Sequence, residues 1–191
     1  MTKSEHKKSI YVEVKPDVLK RAIFIGRFQP FHNAHLYDIK KILKYADEII
    51  IAIGSSQEKN TLQNPFSYNE RRQMIKDVFK KEKIKNYKIY PVPDLYNDKK
   101  WAGHIKKTLP KADFFYSGNK WTIKCLKKHD SNIKIKKISL IKGISGTIVR
   151  NKMIKGENWQ ILVPKEIADY IHKISGVERI KKTMLKNSLE K

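Results

Sequence analysis

Gly26-Arg27-Phe28-Gln29-Pro30-Phe31-His32-Asn33-Ala34-His35 joins a short apolar run, Ile23-Phe24-Ile25, to a stretch in which Leu36, Ile39, Ile42 and Leu43 recur at helical spacing. The pattern predicts a buried strand over 21–28, broken with the help of Pro30, and an amphipathic helix over 33–45. Arg27, His32 and His35 then surround a helix N-terminus. Backbone N–H groups are unpaired there and the helix dipole favours negative charge, so the natural guest of this turn is a phosphate.

Working outward, the alternation of strand and helix repeats four times. An apolar run over 48–53 ends in Gly54-Ser55-Ser56-Gln57, and Ser67 with Glu70 three residues later marks a capped helix over 68–82. A third strand over 87–92 ends in Pro93-Asp94 and precedes a helix over 100–109 that Pro110 stops. A fourth, over 112–116, ends in Ser117-Gly118-Asn119 and precedes a helix over 120–129. The fifth, over 133–140, leads into Gly143-Ile144-Ser145-Gly146-Thr147 and a helix containing Arg150, and two more helices follow Pro164 and Gly176. This order predicts an α/β fold, a Rossmann-like parallel five-stranded sheet with helices on both faces and a C-terminal helical segment. Right-handed crossovers bring the C-terminal ends of all strands to one sheet edge, where such folds bind ligands. The stretches 26–35, 54–57, 93–101, 117–119 and 143–150 each follow a strand, and one composite site along that edge accounts for all of them. Residues 1–20 are read as a Lys-rich extension in which Ile10, Tyr11, Val12 and Val14 alternate like an edge strand, 21–186 as a single domain and 187–191 as a tail.

Composition bounds the partners. A chain of 191 residues with 40% hydrophobic content can bury a real core. The formal charge of +23 invites a nucleic-acid reading. Only Arg21, Arg27, Arg71, Arg72, Arg150 and Arg179 supply the forked guanidinium that specific phosphate and base contacts favour, while lysine is spread along the chain with many Ile and Asn. Drift in composition therefore ranks above nucleic-acid binding. The single cysteine, Cys125, reads as a structural thiol buried in a helix. No apolar run approaches the length of a membrane span and no signal-peptide pattern opens the chain, so a cytoplasmic location and no membrane partner are expected.

Two common nucleotide motifs are missing at the first turn: neither G-x-G-x-x-G nor G-x-x-x-x-G-K-[ST] occurs there. A dinucleotide-binding dehydrogenase and a phosphate-loop kinase lose their main support. Two histidines three apart can hold a metal, but no nearby cluster of His, Cys or carboxylates supplies the further ligands a zinc site needs, so no protein-held metal is expected. The histidines are not alone, however. The run Arg27 to His32, the pair His32 and His35, and Ile144-Ser145-Gly146-Thr147 with Arg150 together resemble the nucleotidyltransferase superfamily, whose signatures are H-x-G-H and I-S-S/G-T-x-x-R. Within it the chain is most similar to the archaeal-type nicotinamide mononucleotide adenylyltransferases. The resemblance extends through Ile53 to Gln57, Asn64-Pro65-Phe66 with Glu70-Arg71, Trp101 with Gly103-His104-Ile105, Tyr116 to Asn119, and Gly176 to Ile180. It departs from the family at Ala34, which replaces glycine and adds a methyl group near the expected phosphate contact, and at Asp98, where close relatives often have asparagine.

The resemblance implies transfer of AMP from ATP to nicotinamide mononucleotide, giving NAD and pyrophosphate by direct in-line attack. It implies His32 and His35 on the α- and β-phosphates, Arg27 and Arg150 as further catalytic cations, and ATP contacts from Gly26, Phe28, Ser117, Asn119, Ile144, Ser145, Gly146 and Thr147. Gly54, Ser55, Asp94 and Trp101 are the residues it assigns to the mononucleotide, with Trp101 stacking on the nicotinamide ring. Mg²⁺ is expected as the companion of ATP, held by phosphate and water. The family commonly forms homo-oligomers. For Arg71 a solvated face or an ion pair reads nearly as well as a site role, and Trp121 and Trp159 read as packing. The alternatives are another adenylyltransferase of the superfamily, acting on phosphopantetheine, nicotinate mononucleotide or flavin mononucleotide, a cytidylyltransferase, or a basic nucleic-acid-binding protein.

Overall fold

Four isoleucines and an alanine in the run Glu48–Ile53 alternate between the two faces of a sheet, and that alternation organises the molecule. In a computed structural model, which describes residues 19–139 and 141–189, Ile49, Ile51 and Ile53 enter one hydrophobic cluster while Ile50 and Ala52 enter a second. The strand before it divides the same way, with Ala22 and Phe24 on one face and Ile23 and Ile25 on the other. A strand buried on both faces reads as a continuous apolar run, as expected of a parallel sheet.

The strands are β1 (Arg21–Gly26), β2 (Glu48–Ile53), β3 (Tyr87–Pro91), β4 (Phe114–Ser117) and β5 (Ile135–Lys137). All pair in parallel, in the order β3-β2-β1-β4-β5. Helices α1 (Asn33–Ile42), α2 (Tyr68–Lys81), α5 (Gly146–Lys155), α6 (Lys165–Lys173) and α7 (Gly176–Leu189) contribute to the larger core. The other face is covered by α3 (Asp98–Thr108) and α4 (Lys120–His129). The chain winds from β1 outward to β3, then returns to lay β4 on the opposite side of β1. The strand order thus reverses between β1 and β4, the place where such sheets open a ligand crevice.

The expected α/β architecture is present, with differences at the ends of elements. β1 ends at Gly26 because Phe28 turns to φ 53°, outside the extended region. Helix α3 begins at Asp98, earlier than its apolar periodicity indicates, because the Asn97 side chain accepts from the Lys100 N–H at 2.9 Å and caps it. β5 shrinks to three residues, since it pairs on one side only and its partner β4 spans four. Helix α7 runs from Gly176 to Leu189. The alternation at Ile10 to Val14 lies outside the described residues.

The turns that follow β1 and β2 are joined by one side chain. Arg71, on α2, is fully buried. Its Nη1 donates to the carbonyls of Arg27 and Gly54, both at 2.8 Å, its Nη2 to that of Ser55 at 3.0 Å and its Nε to that of Ser67 at 3.3 Å. Neither a solvated face nor an ion pair describes it; the guanidinium is a buried bracket between loops. Gln29 adds a second bracket, donating to the Phe66 carbonyl at 2.8 Å and accepting from the Phe66 N–H at 3.0 Å.

Replacing Arg71 removes the donor from the Arg27 and Gly54 carbonyls, each loss worth about 1–3 kcal/mol, while the Ser55 and Ser67 carbonyls keep the N–H groups of Glu58 and residue 71. Arg71→Leu is therefore expected to lower unfolding stability by about 3 kcal/mol or more in urea denaturation. Arg71→Lys should restore little of it, because an ammonium cannot reproduce the planar fork. A loss below about 1 kcal/mol for both variants would show that the bracket is dispensable.

Candidate active site

At the C-terminal ends of β1, β2 and β4 the sheet opens into a cleft of about 370 Å³. It gathers all the candidate residues except Ser117 and Ile144: Arg27, His32, His35, Arg150, Gly26, Phe28, Asn119, Ser145, Gly146, Thr147, Gly54, Ser55, Asp94 and Trp101 line it. Ala34 is buried in α1 and does not line the cleft, so its extra methyl group takes no space from a ligand.

His32 is the N-cap of α1, with extended backbone, and its N–H donates to Nδ1 of His35 at 3.2 Å. That bond assigns the tautomer. Nδ1 of His35 is the acceptor, so in the neutral ring the proton resides on Nε2. The rings of His32 and His35 lie stacked at 3.5 Å and 14°. Phe24, Phe28 and Phe31 pack around His35. Burial lowers the pKa of His32 to about 4, and burial together with the His32 charge holds His35 well below its ordinary value. Both imidazoles are therefore neutral near pH 7 and do not add to the repulsion among the neighbouring arginines. Nδ1 of His32 is buried without a partner.

A second helix start faces the first. Ser145 caps α5, its Oγ accepting from the Ile148 N–H at 3.2 Å. The Gly146 and Thr147 N–H groups precede any helix carbonyl that could reach them and sit on the cleft. The two helix ends are locked together by Arg150, whose Nη1 donates to the Gln29 carbonyl at 2.7 Å and whose Nη2 donates to Thr147 Oγ1 at 3.3 Å. This approach needs glycine at 146: a Cβ there would stand 2.7 Å from the Gln29 carbonyl oxygen. Burial and the nearby Arg27 lower Arg150 to about 10, still fully charged near neutrality. Arg27 itself is exposed. The cleft thus receives two positive helix ends and two arginines.

The middle loops supply the rest. Trp101 is 3% exposed and anchored in the smaller core, so the exposed aromatic anticipated at this place is instead Trp121, which is 46% exposed. The two indoles pack at 4.9 Å and both line the cleft. Trp121 was expected only to pack; its position on the first turn of α4, beside the end of β4, was the overlooked signal. Trp159 is buried against His172, as its packing reading anticipates. Asp98 does not line the cleft, and its Oδ1 accepts from the Trp121 Nε1–H at 3.2 Å. Asp94 lines it, held by Gln57 through its N–H at 3.1 Å and its Oδ2 at 3.4 Å. Ser117 is buried, and its Oγ accepts from the Asn119 N–H, while Asn119 Oδ1 caps α4. Gln29 and Thr122 also line the cleft, unanticipated by motif.

The depressed pKa of His32 makes a prediction about stability. The unfolded chain takes up a proton near pH 6.5, whereas the folded chain resists it until about pH 4. Stability is therefore lost as pH falls through that window, and His32 accounts for about 2 kcal/mol between about pH 7.5 and pH 5. Urea titrations at the two pH values should show a larger loss for the unmodified chain than for His32→Asn. Equal losses would mean that His32 is solvated in the folded state.

Comparison with known proteins agrees with this geometry. The cytidylyltransferase-like family profile matches residues 23–152. A nicotinamide-nucleotide adenylyltransferase of Thermoplasma acidophilum is 40% identical over 162 residues, covering 85% of this chain and 90% of that protein. One from Thermococcus kodakarensis is 35% identical over 175 residues, covering 91% and 92%. Among solved structures, a bifunctional NMN adenylyltransferase/ADP ribose pyrophosphatase from Francisella tularensis superposes with a TM-score of 0.77 at 23% identity over 90% of this chain. The chain spans about half of that longer protein, 54% of its length, and the likeness shows the shared fold. By profile and by these identities, the chain belongs to the cytidylyltransferase-like family of nucleotidyltransferases, in its archaeal nicotinamide-nucleotide adenylyltransferase branch.

Proposed function

We propose that the chain transfers AMP from ATP to nicotinamide mononucleotide, yielding NAD and pyrophosphate. The observation that carries this reading is the convergence of the α1 and α5 N-termini, with Arg27 and Arg150, on one cleft in a chain 40% identical to a nicotinamide-nucleotide adenylyltransferase. An oxygen of the mononucleotide's 5′-phosphate attacks the α-phosphorus of ATP as the bond from that phosphorus to the bridging oxygen of pyrophosphate breaks. Two anions meet in this step, so the protein's work is alignment and charge neutralisation, with no protein nucleophile required.

The α-phosphate lies at the α1 start, where His35 donates from Nε2 and His32 contributes the ring edge left unpaired in the free chain. The β- and γ-phosphates meet the Gly146 and Thr147 N–H groups and the Arg150 guanidinium; Ser145 shapes that helix start through its cap. Arg27 neutralises charge at the reacting end. Gly26, Phe28 and Asn119 frame the adenosine side, with Ser117 and Ile144 supporting from behind the cleft wall. Gly54, Ser55 and Asp94 receive the mononucleotide, and the Trp101 and Trp121 indoles offer its ring an apolar face.

A divalent cation accompanies the triphosphate, and Mg²⁺ is the natural one. Asp94 is the only carboxylate on the cleft among the described residues, which fits an ion held by phosphate and water. Residues 21–186 form the catalytic domain, and Met184, Leu185 and Leu189, exposed on α7, support assembly of a homo-oligomer. No described helix is long and apolar enough to cross a membrane, and a single buried cysteine suits the reducing cytoplasm.

The test is a pyrophosphate-release assay with Mg²⁺, ATP and a panel of acceptors: nicotinamide mononucleotide, nicotinate mononucleotide, flavin mononucleotide and phosphopantetheine. Nicotinamide mononucleotide should give NAD, and His35→Ala should lower kcat by about 100-fold or more with the fold intact. Trp121→Ala should raise KM for the mononucleotide several-fold and leave that for ATP within about twofold. Turnover of another acceptor with none of the nicotinamide form would overturn the substrate assignment, and silence across the panel would overturn the activity.

A further inference from the structure

Behind the two cleft tryptophans, three metal-ligating side chains from two helices face one another. Asp98 opens α3, while Cys125 and His129 lie one turn apart on α4 and so share a face of that helix. One ligand atom from each lies within 4.8 Å of the other two, and among the described residues no other group of His, Cys and acidic side chains converges this way. The reaction proposed above uses none of the three.

Each arrives prepared in a different sense. Cys125 is 1% exposed, and its Sγ meets the Asp98 main-chain carbonyl at 3.3 Å, so the thiol already faces α3. The His129 Nε2 atom is buried without a hydrogen-bond partner, a state that a polar nitrogen rarely keeps. Asp98 is exposed; its Oδ1 takes the Trp121 indole N–H, leaving Oδ2 for a cation.

We propose that Asp98, Cys125 and His129 bind a zinc ion, with water in the fourth position. Thiolate, imidazole and carboxylate together are the donor set of a borderline-soft, four-coordinate ion, whereas Mg²⁺ takes oxygen. Bonds of about 2.0–2.3 Å in a tetrahedron set ligand atoms about 3.3–3.8 Å apart. The ligand atoms lie within 4.8 Å of one another, so binding draws them together by about 1–1.5 Å at most. On binding, a sulfur–zinc bond replaces the sulfur–hydrogen bond and the proton leaves to solvent; no electron is transferred. One thiolate and one carboxylate neutralise the ion within the site, and because Asp98 is already counted as ionised in the chain's +23, binding with loss of the thiol proton raises the net charge by one. Because Asp98 would hold both the ion and the Trp121 indole, the ion would tie α3 to α4 and steady one wall of the cleft.

Cobalt(II) is the spectroscopic probe. Titrated into the full chain after chelator treatment and under reducing conditions, it should give a thiolate-to-cobalt charge-transfer band in the near ultraviolet that saturates at about one equivalent and is displaced by zinc. Cys125→Ser should abolish the band. His129→Gln and Asp98→Asn, both at positions less buried than the cysteine, should each weaken zinc affinity about tenfold or more. His32→Asn should leave the band unchanged, which separates this site from the histidine pair in the cleft. Absence of the band, its persistence in a folded Cys125→Ser chain, or zinc affinities within about twofold of the parent in both the His129 and Asp98 variants would overturn the proposal.

Discussion

Two buried guanidinium groups fix the distance between the parts of this site. Arg71 ties the turn after β1 to the turn after β2, and Arg150 ties the turn after β1 to the start of α5. Both bond backbone carbonyls, which no side-chain substitution elsewhere can remove. A buried cation without a counter-ion is costly, and the bonds to carbonyl dipoles offset that cost while leaving the positive field uncancelled. The same contacts therefore position the loops and charge the cleft.

Burial keeps the two histidines neutral beside that field. Arg150 is lowered to about 10 by burial first and by repulsion from Arg27 second, so the cleft already holds two cations that repel each other. Two further cations stacked at 3.5 Å would repel each other strongly, and burial keeps both rings uncharged near pH 7. The neutral pair still acts through its directed N–H groups, fixed by the bond from the His32 N–H to His35 Nδ1. On the proposed function, a triphosphate in the cleft would restore the balance of charge that the free protein lacks, the cost of assembling like charges being met at folding.

The architecture was legible because hydrophobic periodicity and strand-end residues act locally: the runs at 23–25 and 48–53 and the Ser67 cap announce themselves without tertiary knowledge. The two helix starts that line the cleft were legible for the same reason, since their residues lie on two contiguous motifs. The aromatic end was not. Trp101 and Trp121 are both tryptophans near strand ends, and which one is exposed depends on how α3 and α4 pack on each other, a contact between segments 20 residues apart. Arg71 escaped similarly: its carbonyl partners at Arg27, Gly54 and Ser55 come from two other loops, and backbone acceptors leave no trace in side-chain identity.

The central claim is that the two helix starts beside β1 hold one triphosphate between them. The most direct measurement is a crystal structure of the chain with Mg²⁺, a non-hydrolysable ATP analogue and nicotinamide mononucleotide. The α-phosphate should lie within hydrogen-bond distance of His35 Nε2, with the terminal phosphates on the Gly146 and Thr147 N–H groups and the nicotinamide ring against Trp101 and Trp121. A triphosphate bound away from either helix start, or a mononucleotide ring remote from the indoles, would contradict it.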